Sequence, residues 1–268
     1  MDIRETTRTH YDTKASTVTS LSERARGHAG PLKKFHNFVK RSLIQEYVQK
    51  GSSLLDIATG RGGDLQKWAD VGVTFVKGLD ISEAELHEAR RRYTALAPPN
   101  LECHFEHISS LGIEVWKDDA HTYDVVTCMF ALHYFFGSEQ SLRCLLRTVA
   151  ANLKEGGSFI GIVPDGRRVN EYLMRGQSTS FFNVTALWQG PPQPFGSAYA
   201  FEITDTVTQG GPLEYLVYEN VLWKLAETVG LSPVLNEDGS VFTHLDPPYT
   251  GDAREASRIY ATFAFKKI

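Results

Sequence analysis

The stretch Asp56-Ile57-Ala58-Thr59-Gly60-Arg61-Gly62-Gly63-Asp64 restricts the folds open to this chain more than any other segment. It follows the apolar Leu54-Leu55 and leads into a helical pattern from about Asp64 to Asp70. A second β-like run from Thr74 then ends on Asp80, twenty positions beyond Gly60. Glycines in such a loop let the backbone approach a ligand, and an acid ending the second strand can take ribose hydroxyls, as in adenosine sites of open α/β sheets. A dinucleotide site would carry its third glycine at position 65, where this chain has Leu65, and would cradle a pyrophosphate. Asp64 adds a carboxylate, which suits an α-amino group better than a phosphate. S-adenosylmethionine is therefore the expected cofactor, with a nucleotide cofactor and a purely structural turn as the other readings.

The rhythm of strand, loop and helix continues on both sides of this unit. Pro31 opens a run in which Leu32, Phe35, Phe38, Val39, Ile44 and Val48 recur at helical spacing, and Gly51 stands just past its end. A helix near Ser82 to Leu96, strands near Glu102 to Glu106 and Tyr123 to Met129, a helix near Ser141 to Leu153, a Gly156-Gly157 turn and a strand Ser158 to Val163 follow. This alternation predicts an α/β fold with a mostly parallel, seven-stranded Rossmann-like sheet covered by helices on both faces. Residues 165 to 195 read as irregular, with Pro191-Pro192-Gln193-Pro194 among them. Alternation at Tyr199, Phe201, Ile203 and again at Glu214 to Val217 predicts antiparallel strands of a small insertion, about 170–217. A helix near Tyr218 to Val229, a strand near Pro233 to Leu235 and an antiparallel closing strand at Ile259 to Phe265 complete the pattern. The expected organisation is an N-terminal segment, 1–30, polar and partly flexible, before one domain over 31–268.

A formal net charge of −4 argues against a protein that coats long nucleic acid, although a local basic pocket stays open. The three cysteines, Cys103, Cys128 and Cys144, form no CxxC pair, so neither a disulfide framework nor a zinc site is expected. No apolar run approaches the ~18 residues of a membrane span. Met1 is followed by Asp2, Arg4 and Glu5 rather than an apolar leader, and an intracellular protein is expected.

From His10 onward the sequence resembles the mRNA cap guanine-N7 methyltransferases, a class I S-adenosylmethionine-dependent family. His10-Tyr11-Asp12 is similar to a His-Tyr-Asn element, and Lys33-Lys34-Phe35-His36-Asn37-Phe38-Val39-Lys40 to a helix of the form Arg-Asn-Phe-Asn-Asn-Trp-x-Lys. The loop from Asp56 resembles Asp-Leu-Gly-Cys-Gly-Lys-Gly-Gly-Asp-Leu, Phe130 to Tyr134 matches Phe-x-x-His-Tyr, and Gly156 to Pro164 matches Gly-Gly-x-Phe-Ile-Gly-x-x-Pro. Tyr199 with Phe201, Glu214 to Val217, and Ile259 to Phe265 complete the series in the family's order.

Residue by residue, the resemblance implies that Lys40 pairs with the methionine carboxylate, Asp64 with the amino group and Asp80 with the ribose. Ala58, Gly60, Ser109, Met129, Phe130 and Tyr134 complete the expected cofactor set. It further implies a cap pocket of His36, Asn37, His133, Tyr134, Pro164, Tyr199, Phe201, Glu214 and Tyr260, with Arg61 and Arg92 as basic contacts to the cap triphosphate. The implied substrate is the GpppN end of mRNA. RNA triphosphatase and guanylyltransferase are the candidate partners, with no membrane, DNA or metal. A nuclear location follows for a cellular enzyme and a cytoplasmic one for a viral enzyme.

These residue types suit the chemistry. Guanine N7 is already a lone-pair nucleophile and the sulfonium methyl an electrophile, so no general base is needed, and proximity and orientation suffice. A carboxylate at Glu214 can accept from guanine N1-H and its exocyclic amine. Taken singly, His133-Tyr134 reads as a packed strand end, Glu214 as an exposed strand residue and Tyr260 as core. Departures from the family pattern fall at His36 for Asn, Ala58 for Gly, Ile108 for an adenine-contacting Asp and Met129 for Gln, leaving Ser109, His107 or a backbone carbonyl to take the adenine amine. Two alternatives stay open: a non-catalytic cap-binding or activating subunit, and a small-molecule methyltransferase.

Overall fold

The computed structural model describes residues 3–15, 29–176, 179–206, 208 and 211–268. Helix α1, Ile3–Ala15, opens the chain within the polar N-terminal segment. The rest of that segment, residues 16–28, lies outside the described residues. Helix α2, Gly30–Tyr47, begins with Pro31 in its first turn, where a missing N–H costs nothing.

The central units follow in the expected order. Strand β1, Ser53–Ile57, leads through the glycine loop into α3, Leu65–Val71, which stops at Gly72 in the left-handed region. Strand β2, Phe75–Asp80, is followed by α4, Glu83–Leu96, whose N-cap Ser82 accepts from the Glu85 amide. Strands β3, Glu102–His107, and β4, Tyr123–Met129, precede a 3₁₀ turn at Leu132–Gly137, then α5, Glu139–Asn152, and β5, Leu153–Pro164.

Two elements replace the irregular stretch expected over residues 165 to 195. Helix α6, Gly166–Met174, is started by Asp165, whose carboxylate accepts from the Arg167 amide, and strand β6 covers Phe182–Ala186. Strands β7, Ala198–Ile203, and β8, Leu213–Tyr215, pair antiparallel with β6 in the order β6-β7-β8, forming the small insertion sheet. Helix α7, Glu219–Glu227, short strands β9, Leu231–Pro233, and β10, Thr243–His244, helix α8, Asp252–Arg258, and strand β11, Tyr260–Lys267, close the chain.

The main sheet runs β10-β11-β5-β4-β1-β2-β3, with β9 also paired to β11. Strands β3, β2, β1, β4 and β5 are mutually parallel, and β11 is antiparallel to β5. Because β5 occupies one side of β11, β10 and β9 share its other edge in succession. Seven positions thus hold eight strands, in keeping with the α/β sheet and antiparallel closing strand read from the sequence.

Strand alternation feeds two buried cores. Leu55, Ile57, Val126, Cys128, Phe159 and Val163 pack with α5 and α7, whereas Leu54, Val125, Ile160 and Ile162 pack with α2, α3 and the insertion sheet. No helix among the described residues is long and apolar enough to cross a membrane.

Gly161 lies at the centre of this sheet, paired with Cys128 on one side and Phe263 on the other. A Cβ there would collide with the Cys128 carbonyl oxygen and the Phe263 ring, and backbone in mid-sheet cannot yield. Gly161→Ala is expected to destabilise the fold by roughly 2–3 kcal/mol, read as a lowered urea midpoint. An unchanged midpoint would show that the sheet yields more easily than this packing implies.

Candidate active site

The expected site residues gather at the carboxyl ends of β1, β2 and β4, where open parallel sheets bind ligands. Two of these strands, β1 and β4, are followed at once by a strained residue. Ala58 has φ of 61° and Phe130 φ of 60°, the left-handed region that glycine enters without penalty. Ala58 stands where the related pattern carries glycine, and its backbone still takes the glycine conformation. Non-glycine residues held this way cluster at functional sites.

Asp80 fastens the loop to the next strand. One carboxylate oxygen accepts from the Gly60 amide at 2.8 Å and the other from the Ser82 amide at 2.8 Å. Burial raises its pKa, and those amides pull the other way. The Ser82 hydroxyl meanwhile donates to Asp12 of α1 at 2.5 Å, so the N-terminal helix is tied to the same corner.

Asp64 sits between two lysines. Lys40 Nζ, from α2, lies 2.8 Å from one oxygen and Lys67 Nζ 2.7 Å from the other. Burial works against the charged carboxylate, but the two ammonium groups outweigh it and hold its pKa below the ordinary value. Lys67 is itself buried and also reaches the Gly63 carbonyl at 3.1 Å. The sequence offered only its position three residues after Asp64 as a clue. Beneath this group, burial pushes Asp56 up to about 7 despite the Thr127 hydroxyl 2.5 Å away, with Asp64 adding to the effect.

The second half of the site is buried and aromatic. The antiparallel register sets Tyr199 opposite Glu214, and the Tyr199 hydroxyl donates to one Glu214 oxygen at 2.8 Å. His133 Nε2 stands 3.5 Å from the other oxygen. That separation is outside good hydrogen-bond range, and both ring nitrogens of His133 are buried without a hydrogen-bond partner among the described residues. Burial drives Glu214 up to about 8 and His133 down to about 3. Tyr260, Phe201 and Pro164 are buried around them, and the Tyr134 hydroxyl shares a hydrogen bond of 2.8 Å with Tyr11 of α1.

Phe130 joins the halves. Lys40 Nζ lies 5.5 Å from its ring centroid, His36 stacks on it at 5.1 Å, and Tyr260 meets it edge-on at 5.1 Å. His36 is fixed by Ser257 of α8, 3.1 Å from its Nε2, and burial with the nearby Lys40 lowers its pKa to about 3.

Other expected residues sit differently. Asn37 is exposed, its amide bonded to the Lys33 carbonyl within α2, away from the cluster around His36 and Lys40. Arg61 pairs with Glu85 at 2.8 Å and Arg92 with Glu88 at 2.8 Å, so neither is an uncommitted cation. Ile108 and Met129, the two departures expected at the adenine end, belong to different core clusters, and Ser109 is exposed. His107 directs Nε2 to the Ile81 carbonyl at 3.1 Å. Besides Lys67, the sequence reading missed Thr127, Glu85 and Ser257, and did not assign Tyr11 to the site.

Solved structures of similar fold include an S-adenosylmethionine-dependent methyltransferase from Clostridium acetobutylicum, with a TM-score of 0.57 at 16% identity over 88% of this chain and 91% of that one. Another is the DhpI-SAH complex, with a TM-score of 0.56 at 13% identity over 99% and 97% of the two chains. At such identities these matches speak for the fold. Among curated proteins, mRNA cap guanine-N(7) methyltransferase 1 of Arabidopsis thaliana is 31% identical over 257 residues, spanning 88% of this chain and 67% of that protein. The mRNA cap guanine-N(7) methyltransferase of Saccharomyces cerevisiae is 28% identical over 317 residues, spanning 100% of this chain and 71% of that protein. The family described as the mRNA (guanine-N(7))-methyltransferase domain matches residues 1–246. A match over nearly the whole chain, joined to the strand-end site just described, makes this protein a member of the mRNA (guanine-N7)-methyltransferase family.

Proposed function

We propose that this chain transfers the methyl group of S-adenosylmethionine to N7 of the guanine in the GpppN cap of mRNA. Beyond family membership, the observation that best supports this reading is the buried pair of Glu214 and His133, whose imidazole has no hydrogen-bond partner at either nitrogen among the described residues. Buried polar groups left open are expensive unless a ligand completes them. Guanine presents N1-H and an exocyclic amine side by side, the donor pair that one carboxylate can accept, whereas adenine lacks it.

The cofactor half fits the expected group on its donor set. Asp80, buried and fixed by two amides, keeps lone pairs for ribose hydroxyls. Asp64 and Lys40 offer one charge of each sign for an amino acid end, and now neutralise each other. Gly60, Ala58 and Met129 line the approach between them, and the adenine amine falls to backbone groups or to exposed Ser109. When bound, S-adenosylmethionine supplies a methyl group already electrophilic on its sulfonium.

No residue needs to move a proton, since N7 carries its lone pair at neutral pH. Glu214 selects the base and opposes the positive charge that develops on the ring. His133, neutral under these conditions, offers one donor and one acceptor. Phe130, Tyr134, Pro164, Phe201 and Tyr260 exclude water and orient the purine. We read residues 31–268 as one methyltransferase domain, with strands β6 to β8 roofing the cap pocket. A GpppN end requires prior RNA triphosphatase and guanylyltransferase chemistry, so the chain works downstream of both, in the nucleus for a cellular enzyme and in the cytoplasm for a viral one.

Glu214 must be ionised to accept both guanine donors, and its pKa near 8 leaves it mostly protonated at pH 6.5. The KM for GpppRNA should therefore fall as pH rises, by roughly 25-fold between pH 6.5 and 8.5, and Glu214→Gln should abolish that slope while cutting kcat/KM on the order of 10²-fold. A slope that survives in the Gln variant would assign the titration elsewhere.

The two halves should also separate. Glu214→Ala is expected to remove cap methylation while leaving cofactor affinity within about twofold, and Asp80→Asn to weaken cofactor binding by about tenfold or more with little change in GpppG affinity. Calorimetric titration of each variant with each ligand measures this. Parallel losses for both ligands in both variants would defeat the division.

A further inference from the structure

Arg61 follows Gly60 on the cofactor loop, and its side chain is 10% exposed. Among the described residues only its Nε is bonded, donating to both Glu85 oxygens at 2.8 and 3.0 Å. Among the described residues no acceptor reaches either terminal nitrogen, and neither is sealed from solvent. Arginine and carboxylate commonly pair through two parallel N–H bonds. Here Nε takes both oxygens, and the terminal fork, with its four N–H donors, is left for another acceptor.

Glu85 is firmly seated. It lies in the first turn of α4, its amide bonded to the Ser82 hydroxyl at 3.1 Å, and the Ser82 amide is itself on Asp80. The orientation of Arg61 is thereby referenced to the acid that takes the ribose. Asp80 and Arg92 are the other charges acting on Glu85. Arg90, Arg91 and Arg92 of the same helix are paired with Glu83 or Glu88.

We propose that Glu85 is a positioning residue that grips Arg61 through Nε, so that its two terminal nitrogens are presented together to oxygens of the cap phosphate bridge. This rests on the cap reading above and adds a residue that does not itself touch substrate. The carboxylate offsets the cost of burying the guanidinium and fixes a side chain that would otherwise sample many rotamers. Recognition is then by a planar, preset fork rather than by a mobile point charge.

The test compares wild type with Glu85→Ala, Glu85→Gln, Arg61→Ala and the double Ala variant. Kd values for GpppG, guanosine and S-adenosylmethionine are measured alongside methylation of GpppRNA. Glu85→Ala should weaken GpppG about tenfold, raise KM without lowering kcat, and leave guanosine and cofactor affinities unchanged. Glu85→Gln, which keeps one acceptor for Nε, should recover part of the loss, and the double variant should be no worse than Arg61→Ala. Tighter GpppG binding in Glu85→Ala would overturn the proposal, because the carboxylate would then compete with phosphate. So would equal losses for all three ligands, or a wild type that binds GpppG no better than guanosine. Wild type that prefers GpppG but methylates no capped RNA would sink the methylation reading and leave Glu85's role standing. Active wild type with an unaffected Glu85→Ala would do the reverse.

Discussion

Asp80 is the fixed point of the molecule. One carboxylate at the end of β2 holds the glycine loop through Gly60 and the start of α4 through Ser82. Through Ser82 it also reaches Asp12 of α1, and through Glu85 it sets Arg61. Three segments distant in sequence, α1 at Asp12, the glycine loop at Gly60 and Arg61, and the β2–α4 junction from Asp80 to Glu85, are thus brought to one corner by a single acidic side chain and its neighbour. An amide pair preset around a carboxylate is cheap to maintain, because no donor must be reorganised when further hydroxyls approach. The strain at Ala58, on the order of 1–2 kcal/mol, is tolerated because bonds on both sides of the loop over-determine its path.

Electrostatics divides the site more sharply than shape does. Asp64 and Glu214 are both buried acids, yet their affinities for protons move in opposite directions. Asp64 faces two ammonium groups, and attraction wins over desolvation. Glu214 faces a tyrosine hydroxyl and a neutral imidazole, and desolvation wins. The consequence is functional. A stably charged acid suits a zwitterionic amino acid, whereas an acid whose charge must be completed by a ligand binds only a partner that supplies donors in the right places. Specificity for guanine would follow from leaving Glu214 and His133 incomplete, and the aromatic wall makes that incompleteness costly to anything else.

Much of this was legible in the chain. Strand β4 falls at Tyr123–Met129 as read, and α2, α4 and β2 shift by a residue or so, because their apolar periodicity and their Pro, Ser and Gly boundaries act locally. Helix α6 falls in the stretch 165 to 195 that reads as irregular, with Pro191-Pro192-Gln193-Pro194 within it; the Asp165 cap and the burial of Val169 and Tyr172 are its local marks, and the helix is too short for a strong apolar period. Tyr11 contributes through a bond to Tyr134, 123 positions away, and no window of sequence contains that contact. Lys67, Thr127 and Glu85 share this difficulty. Each looks ordinary for its element and acquires meaning only from the residue that folding sets beside it.

The departures from the family pattern fall into two physical kinds. Ala58 replaces a glycine but keeps its left-handed backbone, so the change costs conformational energy and leaves the loop's path intact. Ile108 is different in kind. Its amide is spent on the Asp80 carbonyl at 2.9 Å and its side chain joins the core cluster that holds Leu79 and Ile57, so that side chain offers a ligand no polar atom. Loss of an acceptor there removes a means of discriminating adenine from other purines, worth on the order of 1 kcal/mol for a neutral hydrogen bond. Apolar contact from neighbouring side chains can replace the affinity at ~25 cal/mol per Å² but not the direction. On the proposed reading, identity in this site is carried by Asp80 for the ribose, the sandwiched Asp64 and Glu214 for the guanine, each held by named bonds, while the adenine end would rely on burial.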